Sequence, residues 1–237
     1  MKRPAIWFLI FVLLFPLLQA YFYFDLMADW PPVVQKTAYS CTKVLMLLIP
    51  LISLGVIQKE RFRLRKFTCR GLWEGTLFGI FVFAGMCLLY DFYFKPGGII
   101  APGTPVAEAI LKKLSAFGML KPWLFILFGG FVSVIHSGLE EYYWRWFAFG
   151  QLCRTVPKLP AMLISGVAFS LHHVIILGTY LGYSTVWTWL FSFGIAVGGA
   201  YWCWLYLRKD SIWASWVSHV WIDIAIFVIG YDIIFNQ

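Results

Sequence analysis

Seven long apolar runs, separated by short polar segments, form the main pattern along the chain. Each run is close to the ~20 residues that an α-helix needs to cross the hydrocarbon core of a bilayer. Backbone polar groups in lipid must be hydrogen-bonded within their own segment, so we predict an all-α, polytopic transmembrane helix bundle. A membrane barrel would instead show strands of about ten residues with alternating polarity. The runs cover approximately residues 5–24, 38–58, 72–94, 123–149, 161–181, 185–207 and 212–234.

Two segments depart from a simple span. The fourth run is long and carries charged residues, which predicts a broken or strongly tilted helix. Residues 101–119 place Glu108, Lys112 and Lys113 among apolar residues, a pattern typical of an amphipathic helix lying at the membrane interface. The same segment could hold an eighth, short span. We therefore expect a single integral membrane domain over residues 1–237, with 7 or 8 spans.

The composition agrees with this pattern and excludes several other classes of protein. Hydrophobic residues make up 61% of the chain and charged residues 13%, with a mean hydropathy of +0.78. A soluble domain is nearer half apolar and a quarter charged. The net charge of +8 sits in short segments between the runs, whereas nucleic-acid binding needs a continuous basic face. Five dispersed cysteines without CxxC spacing argue against a disulfide framework.

The distribution of basic residues predicts the orientation in the membrane. With the N-terminus inside, inner segments hold twelve lysines and arginines and outer segments hold five. The positive-inside rule therefore predicts a cytoplasmic N-terminus in a cell or cytoplasmic membrane. Ala5 to Leu18 could pass for a signal peptide, but a small-x-small cleavage site is lacking, so we interpret it as an uncleaved first span. The inner residues are Lys2, Arg3, Lys59, Arg61, Arg63, Arg65, Lys66, Arg70, Arg154, Lys158, Arg208 and Lys209.

Seven ionisable residues lie well inside three of the runs. A charge at the bilayer centre costs at least about 2.5–3.5 kcal/mol, so each needs a reason to be there. At 1.5 Å rise per residue Glu140, His173, His219 and Asp223 lie at similar depths, roughly 11–20 Å from the inner ends of their spans. By contrast, Glu74, Asp91 and Asp232 lie near span ends, and Lys43 can snorkel to the interface. The seven are Glu140, Glu141 and Arg145 in the fourth run, His172 and His173 in the fifth, and His219 and Asp223 in the seventh.

The spacing of these residues predicts local pairs. Residues four apart share a helix face, so Glu141 and Arg145 can cancel each other's charge, which leaves Glu140 without a committed local partner. The same spacing places His219 and Asp223 together on one face. Phe169 and His173 share a face by the same rule, which sets an aromatic wall beside an imidazole.

This set of side chains is suited to hydrolysis by an activated water. A carboxylate in a low-dielectric cavity binds protons more readily, so Glu140 could act as general base, with His173 holding the water. His219 and Asp223 could stabilise a developing oxyanion. The same residues could bind zinc, which would then activate the water. Two other interpretations remain open: a proton or ion path of a transporter, and interhelical pairs of a non-catalytic scaffold.

Other intramembrane proteases are disfavoured by pattern. The chain has no HExxH of the zinc type and no GxGD of the aspartyl type. Ser137-Gly138 and Ser165-Gly166 lack the GxSG context of a rhomboid serine. We interpret His136 as a packing histidine and leave the role of His172 open.

At the polar residues the sequence resembles a known family. Glu140 to Arg145 reads EEYYWR, similar to an EExxxR motif; Phe169 to His173 resembles FxxxH; His219 to Asp223 resembles HxxxN/D. In this order and on separate spans, the three motifs resemble the CPBP family of CAAX proteases and bacteriocin-processing enzymes, also called Abi or Rce1-like. The motif-bearing core covers about residues 123–225.

The resemblance implies an intramembrane endopeptidase of glutamic type, formerly described as a metalloprotease. It implies Glu140 as general base, His173 as its partner on the water, and His219 with Asp223 on the oxyanion side. Glu141 and Arg145 would hold the site together. No cofactor is then required, and a divalent metal such as zinc is the alternative. The expected partners are membrane lipid and a peptide or lipidated-protein substrate, either a prenylated CAAX type or a leader peptide.

Overall fold

The computed structural model describes residues 4–60 and 69–236. Over these residues the chain is helical without a strand, which confirms the predicted all-α class. Seven of the helices in the described part are long and apolar enough to cross a membrane, as predicted. The helices are α1 Ile6–Leu26, α2 Pro32–Ile57, α3 Leu72–Phe94, α4 Pro105–Phe117, α5 Pro122–Leu152, α6 Lys158–Leu181, α7 Val186–Lys209 and α8 Trp213–Phe235.

The short helix α4 occupies the segment that could have held an eighth span. Its sequence carries both end signals: the Thr104 hydroxyl accepts a hydrogen bond from the Ala107 N–H at 3.3 Å, and Gly118 follows with φ of 72°. Its 13 residues extend only about 20 Å, less than the ~30 Å of a hydrocarbon core. The segment is therefore not an eighth span, and its location at the membrane interface stays a prediction.

Helix α5 is continuous, so of the two predicted alternatives the break is excluded, and the strong tilt stays a prediction. It runs for 31 residues and changes hydrogen-bond register instead of breaking, with π-helical stretches at Phe131–His136 and Tyr142–Phe149. A π-helical turn contains an extra residue and is frequent at functional sites. The second stretch begins directly after Glu141, so the turn that carries both glutamates lies between the two stretches.

The described residues form two compact units. The first unit contains α1, α2, α6, α7 and the part of α5 that begins at Leu139. The second contains α3, α4, α8 and the part of α5 that ends at Gly138. The EExxxR and FxxxH motifs belong to the first unit and the HxxxN/D motif to the second. The single domain over residues 1–237 stays a prediction.

In the first unit α6 packs closely against α7 through small residues. A Cβ at Gly166 would lie 2.5 Å from the Ala196 carbonyl oxygen and 2.9 Å from the Ala200 nitrogen. A Cβ at Gly199 would lie 3.1 Å from the Gly166 Cα. Such small residues let helix backbones approach where lipid offers no hydrophobic driving force. This contact fixes the position and rotation of the helix that carries both neighbouring histidines.

A polar network ties α2 to the end of α5 in the same unit. Arg154 donates two hydrogen bonds to the Glu60 carboxylate, at 2.8 and 3.1 Å, and a third to the Gln58 side-chain oxygen at 2.6 Å. Gln58 in turn donates to the Gln151 side chain at 3.2 Å. The network holds the end of α5 through Gln151, which lies ten residues after Glu141.

The second unit is held by α3 against α8. A Cβ at Gly79 would lie 3.0 Å from the Ser218 carbonyl oxygen, so this contact also requires a small residue. Near the other end of α8, the Asp232 carboxylate accepts hydrogen bonds from the Tyr90 hydroxyl at 2.7 Å and from Lys95 at 2.6 Å. These bonds join the ends of α3 and α8.

The cytoplasmic N-terminus stays a prediction. Of the twelve basic residues that support it, six lie outside the described residues: Lys2, Arg3, Arg61, Arg63, Arg65 and Lys66.

Candidate active site

Glu140 is a buried acid on a firmly anchored turn of α5. Only 4% of its surface is exposed. The two tyrosines that follow the glutamates anchor this part of α5 to two other helices. Tyr143 donates a hydrogen bond to the Val12 carbonyl of α1 at 2.7 Å, and Tyr142 donates to the Leu47 carbonyl of α2 at 3.1 Å. These bonds restrict the sliding and rotation of α5, so the Glu140 carboxylate is held at a defined position.

The imidazole that faces Glu140 is that of His172. Its Nε2 lies 3.6 Å from the Glu140 Oε1, within ion-pair distance although too long for a hydrogen bond. His173 lies beside it, with 4.0 Å between the two ring centroids, and its Nδ1 is 3.2 Å from the Phe169 carbonyl oxygen. A carboxylate of the fourth run and an imidazole of the fifth run therefore lie next to each other, as their similar depths predicted. The role predicted for His173 stays a prediction.

The His172 ring is held among aromatic side chains. Trp144 is stacked parallel to it, with an interplanar angle of 8° and 6.1 Å between centroids. Phe169 meets it edge-on at 5.3 Å. The sequence left the role of His172 open, because FxxxH selects only the second histidine. The available signal was Trp144, which lies four residues after Glu140 and thus on the same side of α5.

Glu141 and Arg145 form the predicted pair. Arg145 Nε lies 3.3 Å from Glu141 Oε2, and the two side chains are 1% and 0% exposed. The guanidinium also lies between two rings, at 4.5 Å from the centroid of Phe169 and 4.7 Å from that of Trp202. An ion pair and two cation–π contacts thus replace the hydration that Arg145 loses.

The charge of Glu140 also reaches α2. Tyr39 and Lys43 lie one turn apart on that helix, and both are close enough to Glu140 for a Coulombic interaction. Lys43 Nζ lies 5.1 Å from the Tyr39 ring centroid and 3.7 Å from the Met46 sulfur. Lys43, interpreted from the sequence as a snorkelling residue, therefore belongs to the electrostatic surroundings of the buried carboxylate.

In the second unit His219 and Asp223 form their predicted pair on α8. His219 Nε2 lies 3.7 Å from Asp223 Oδ1, and the imidazole is buried. One turn before His219, Trp216 donates a hydrogen bond from its ring nitrogen at 3.0 Å to the Ser137 hydroxyl, and it lies 3.0 Å from the Val134 carbonyl. These contacts anchor this face of α8 to the first part of α5, so the His219 ring is held on a fixed helix.

The donor set does not favour a metal centre within either unit. Of the residues that the structure describes, no three His, Cys, Asp or Glu side chains gather closely enough to hold an ion. A catalytic zinc site takes three protein ligands, with a water at the fourth position. In the first unit one carboxylate lies beside imidazoles, an arrangement that suits acid–base chemistry.

Comparison with known proteins supports the resemblance seen in the motifs. Residues 121–225 match the family described as Type II CAAX prenyl endopeptidase Rce1-like. The matched segment contains all three motifs and nearly coincides with the core expected at residues 123–225. No match was found among curated proteins or among solved structures. The resemblance to the CPBP family is thus confirmed over these residues.

Proposed function

We propose that this chain, Rce1-like over residues 121–225, is an intramembrane endopeptidase of glutamic type. In this proposal a water activated by Glu140 hydrolyses a peptide bond of a membrane-associated substrate. One observation supports it most: a carboxylate only 4% exposed lies against an imidazole within the membrane-spanning part of a segment that matches a protease family. An acid buried at such cost needs a function.

The hydrolysis proceeds without a covalent bond between the enzyme and the substrate. Glu140 takes a proton from water while the water oxygen attacks the scissile carbonyl carbon, and the carbonyl oxygen becomes an oxyanion. The carbon–nitrogen bond then breaks, and Glu140 returns the proton to the leaving amine. A new carboxyl group and a new amine result. His173 orients the attacking water, and general-base catalysis of this kind contributes about 10²–10⁴-fold to a rate.

His219 and Asp223 supply the oxyanion side in this proposal. An ionised Asp223 cannot donate a hydrogen bond to an oxyanion, so it orients His219, which donates. The 3.7 Å separation of His219 Nε2 and Asp223 Oδ1 is compatible with that orienting role. Glu141 and Arg145, which are engaged with each other, act as positioning residues that hold the catalytic turn of α5.

The substrate in this proposal reaches the site from the cytoplasmic side. In the predicted orientation Glu140, His219 and Asp223 lie nearer the inner than the outer ends of their helices, where an inner-leaflet lipid anchor would bring a peptide. The name of the matched family favours a prenylated CAAX substrate. Asp223 disfavours a prenylated substrate, because Asn is common at the end of this motif in the prenyl-protein branch. A leader peptide is therefore the second substrate class.

Cleavage by purified full-length protein in liposomes tests the proposal. The probe is an internally quenched peptide that ends in a farnesylated Cys-aliphatic-aliphatic-X sequence, and the same peptide without the lipid tests whether prenylation is needed. We expect Glu140→Gln to lower the rate at least about 100-fold. Glu60→Gln, in the network with Arg154, is the matched control and keeps the rate.

Two results would decide against parts of this proposal. Full cleavage by the Glu140→Gln protein would refute the general-base role. Loss of cleavage after treatment with 1,10-phenanthroline, restored by added zinc, would replace the glutamic mechanism with a metal-dependent one. The mechanism proposed here predicts that chelation leaves the rate unchanged.

A further inference from the structure

We propose that His172 is a positioning residue for Glu140, which it holds through one carboxylate oxygen, Oε1. This inference rests on the proposed function for its kinetic consequence, but its structural part does not. Neither the motifs nor the family match assigns a role to His172, because FxxxH ends at His173.

The contact itself is the first observation. His172 Nε2 lies 3.6 Å from Glu140 Oε1, and the exposed fractions of the two side chains are 8% and 5%. Catalytic contacts in substrate-free sites are often long and shorten in the complex with substrate. The 3.6 Å distance exceeds the upper limit of a hydrogen bond by only about 0.4 Å.

The fixed orientation of the ring is the second observation. Trp144 covers one face of His172 in parallel at 8°, and Phe169 lies edge-on to it at 81°. His173 is adjacent at 4.0 Å between centroids. A positioning residue needs a rotamer that is itself fixed by its neighbours, and these three rings restrict rotation of the imidazole.

A packing role alone explains the arrangement less well. His172 Nδ1 is buried without a hydrogen-bond partner among the residues that the structure describes. Leaving a polar atom in that state destabilises the fold, and a phenylalanine at this position would avoid this penalty. Nε2 is directed at a buried anion. The imidazole therefore carries the penalty of an unpaired Nδ1, and its contact with Glu140 offsets that penalty.

The cation on α2 is a poorer candidate for positioning the Glu140 carboxylate. Lys43 interacts with the Glu140 charge, but its ammonium group lies 3.7 Å from the Met46 sulfur and over the Tyr39 ring. A flexible lysine fixes a point charge rather than the orientation of a carboxylate. Arg145, the other cation nearby, is engaged with Glu141.

A spectroscopic test addresses the contact without any substrate. In full-length protein with ¹⁵N-labelled histidine, the His172 resonances are assigned from their loss in His172→Gln. Glu140→Gln should then shift the Nε2 resonance of His172, because it replaces the facing anion by a neutral amide. The controls are Glu60→Gln and Thr179→Val, the latter two turns away on α6, and both should leave this resonance in place.

A kinetic test addresses the consequence. With the farnesylated reporter, His172→Phe should lower kcat about 10–100-fold and leave KM within about twofold, because a slightly misplaced base slows the chemistry without weakening binding. His172→Gln keeps an N–H donor and should restore most of kcat. This rescue separates positioning from packing, since Phe fills the space better than Gln.

The outcomes are distinguishable. An unshifted His172 resonance in Glu140→Gln overturns the inference, and so does a kcat that stays unchanged in His172→Phe. A shifted resonance with loss of kcat and rescue by Gln supports it. If the unsubstituted protein cleaves none of the reporters, the proposed function fails, and the resonance shift alone decides whether His172 holds Glu140.

Discussion

The buried pair of Glu141 and Arg145 offers the most quantitative prediction. At 3.3 Å, two opposite charges attract by about 5 kcal/mol at an effective dielectric constant of 20. Glu141→Gln removes the anion and leaves the Arg145 guanidinium buried with only its cation–π contacts to Phe169 and Trp202. Breaking a buried pair from one side costs about 3–5 kcal/mol, so we expect a loss of that size in the free energy of unfolding.

A second ion pair in the same unit provides the control. Arg154 and Glu60 are closer, at 2.8 Å, but 14% and 23% exposed. Partial exposure lets water screen the charges, so such pairs contribute about 0–1 kcal/mol. If distance alone set the strength of a pair, this outer pair would be the stronger one. The structure predicts the opposite order because burial dominates.

Two double-mutant cycles measure both coupling energies. The inner cycle uses Glu141→Gln and Arg145→Met, and the outer cycle uses Glu60→Gln and Arg154→Met. The assay is reversible unfolding of the purified protein in mixed micelles. We expect a coupling of at least about 2 kcal/mol for the inner pair and below about 1 kcal/mol for the outer pair. An inner coupling no larger than the outer one would refute the reasoning.

Three further predictions follow from packing and topology. Gly166→Val should destabilise the first unit and slow cleavage, because its Cβ would meet α7 backbone at 2.5 Å, whereas Gly194→Val, with no atom within 4 Å, should be tolerated in the same unfolding assay. Trp202→Ala should lower the free energy of unfolding by about 3–5 kcal/mol. Trp204→Ala, at a site 38% exposed, should lower it by less than about 1 kcal/mol. Similar losses in the two variants would contradict a stabilising contact between Trp202 and Arg145. In a variant that keeps only Cys69, membrane-impermeant maleimide should label inside-out vesicles and not intact cells, and the reverse would overturn the orientation.

The spans and the local pairs were predictable from the sequence. A lipid core forces each spanning segment to satisfy its own backbone, so hydropathy alone located all seven helices. Glu141 with Arg145, and His219 with Asp223, needed only the geometry of a single helix, and both pairs are observed. Local spacing is reliable because it does not depend on how helices pack.

The features that depend on packing were not predictable. The π-helical stretches of α5 depend on contacts such as Tyr143 with Val12, which pattern analysis along the chain does not show. Which of two consecutive histidines faces Glu140 depends on the rotation of α6. That rotation is set by the close contact of α6 with α7 at Gly166. The sequence therefore identified His172 as an ionisable residue inside a span but left open whether it faces Glu140.

The central proposal is that Glu140 and His219 both act in the hydrolysis, Glu140 as the general base and His219 as the donor to the oxyanion. Residues that act as a unit in catalysis show strongly non-additive losses. The decisive measurement is kcat/KM of Glu140→Gln, His219→Gln and the double variant with the same reporter. We predict that each single variant loses at least about 100-fold and that the double variant is no slower than the slower single variant. Losses that multiply, or a fully active His219→Gln, would contradict the claim.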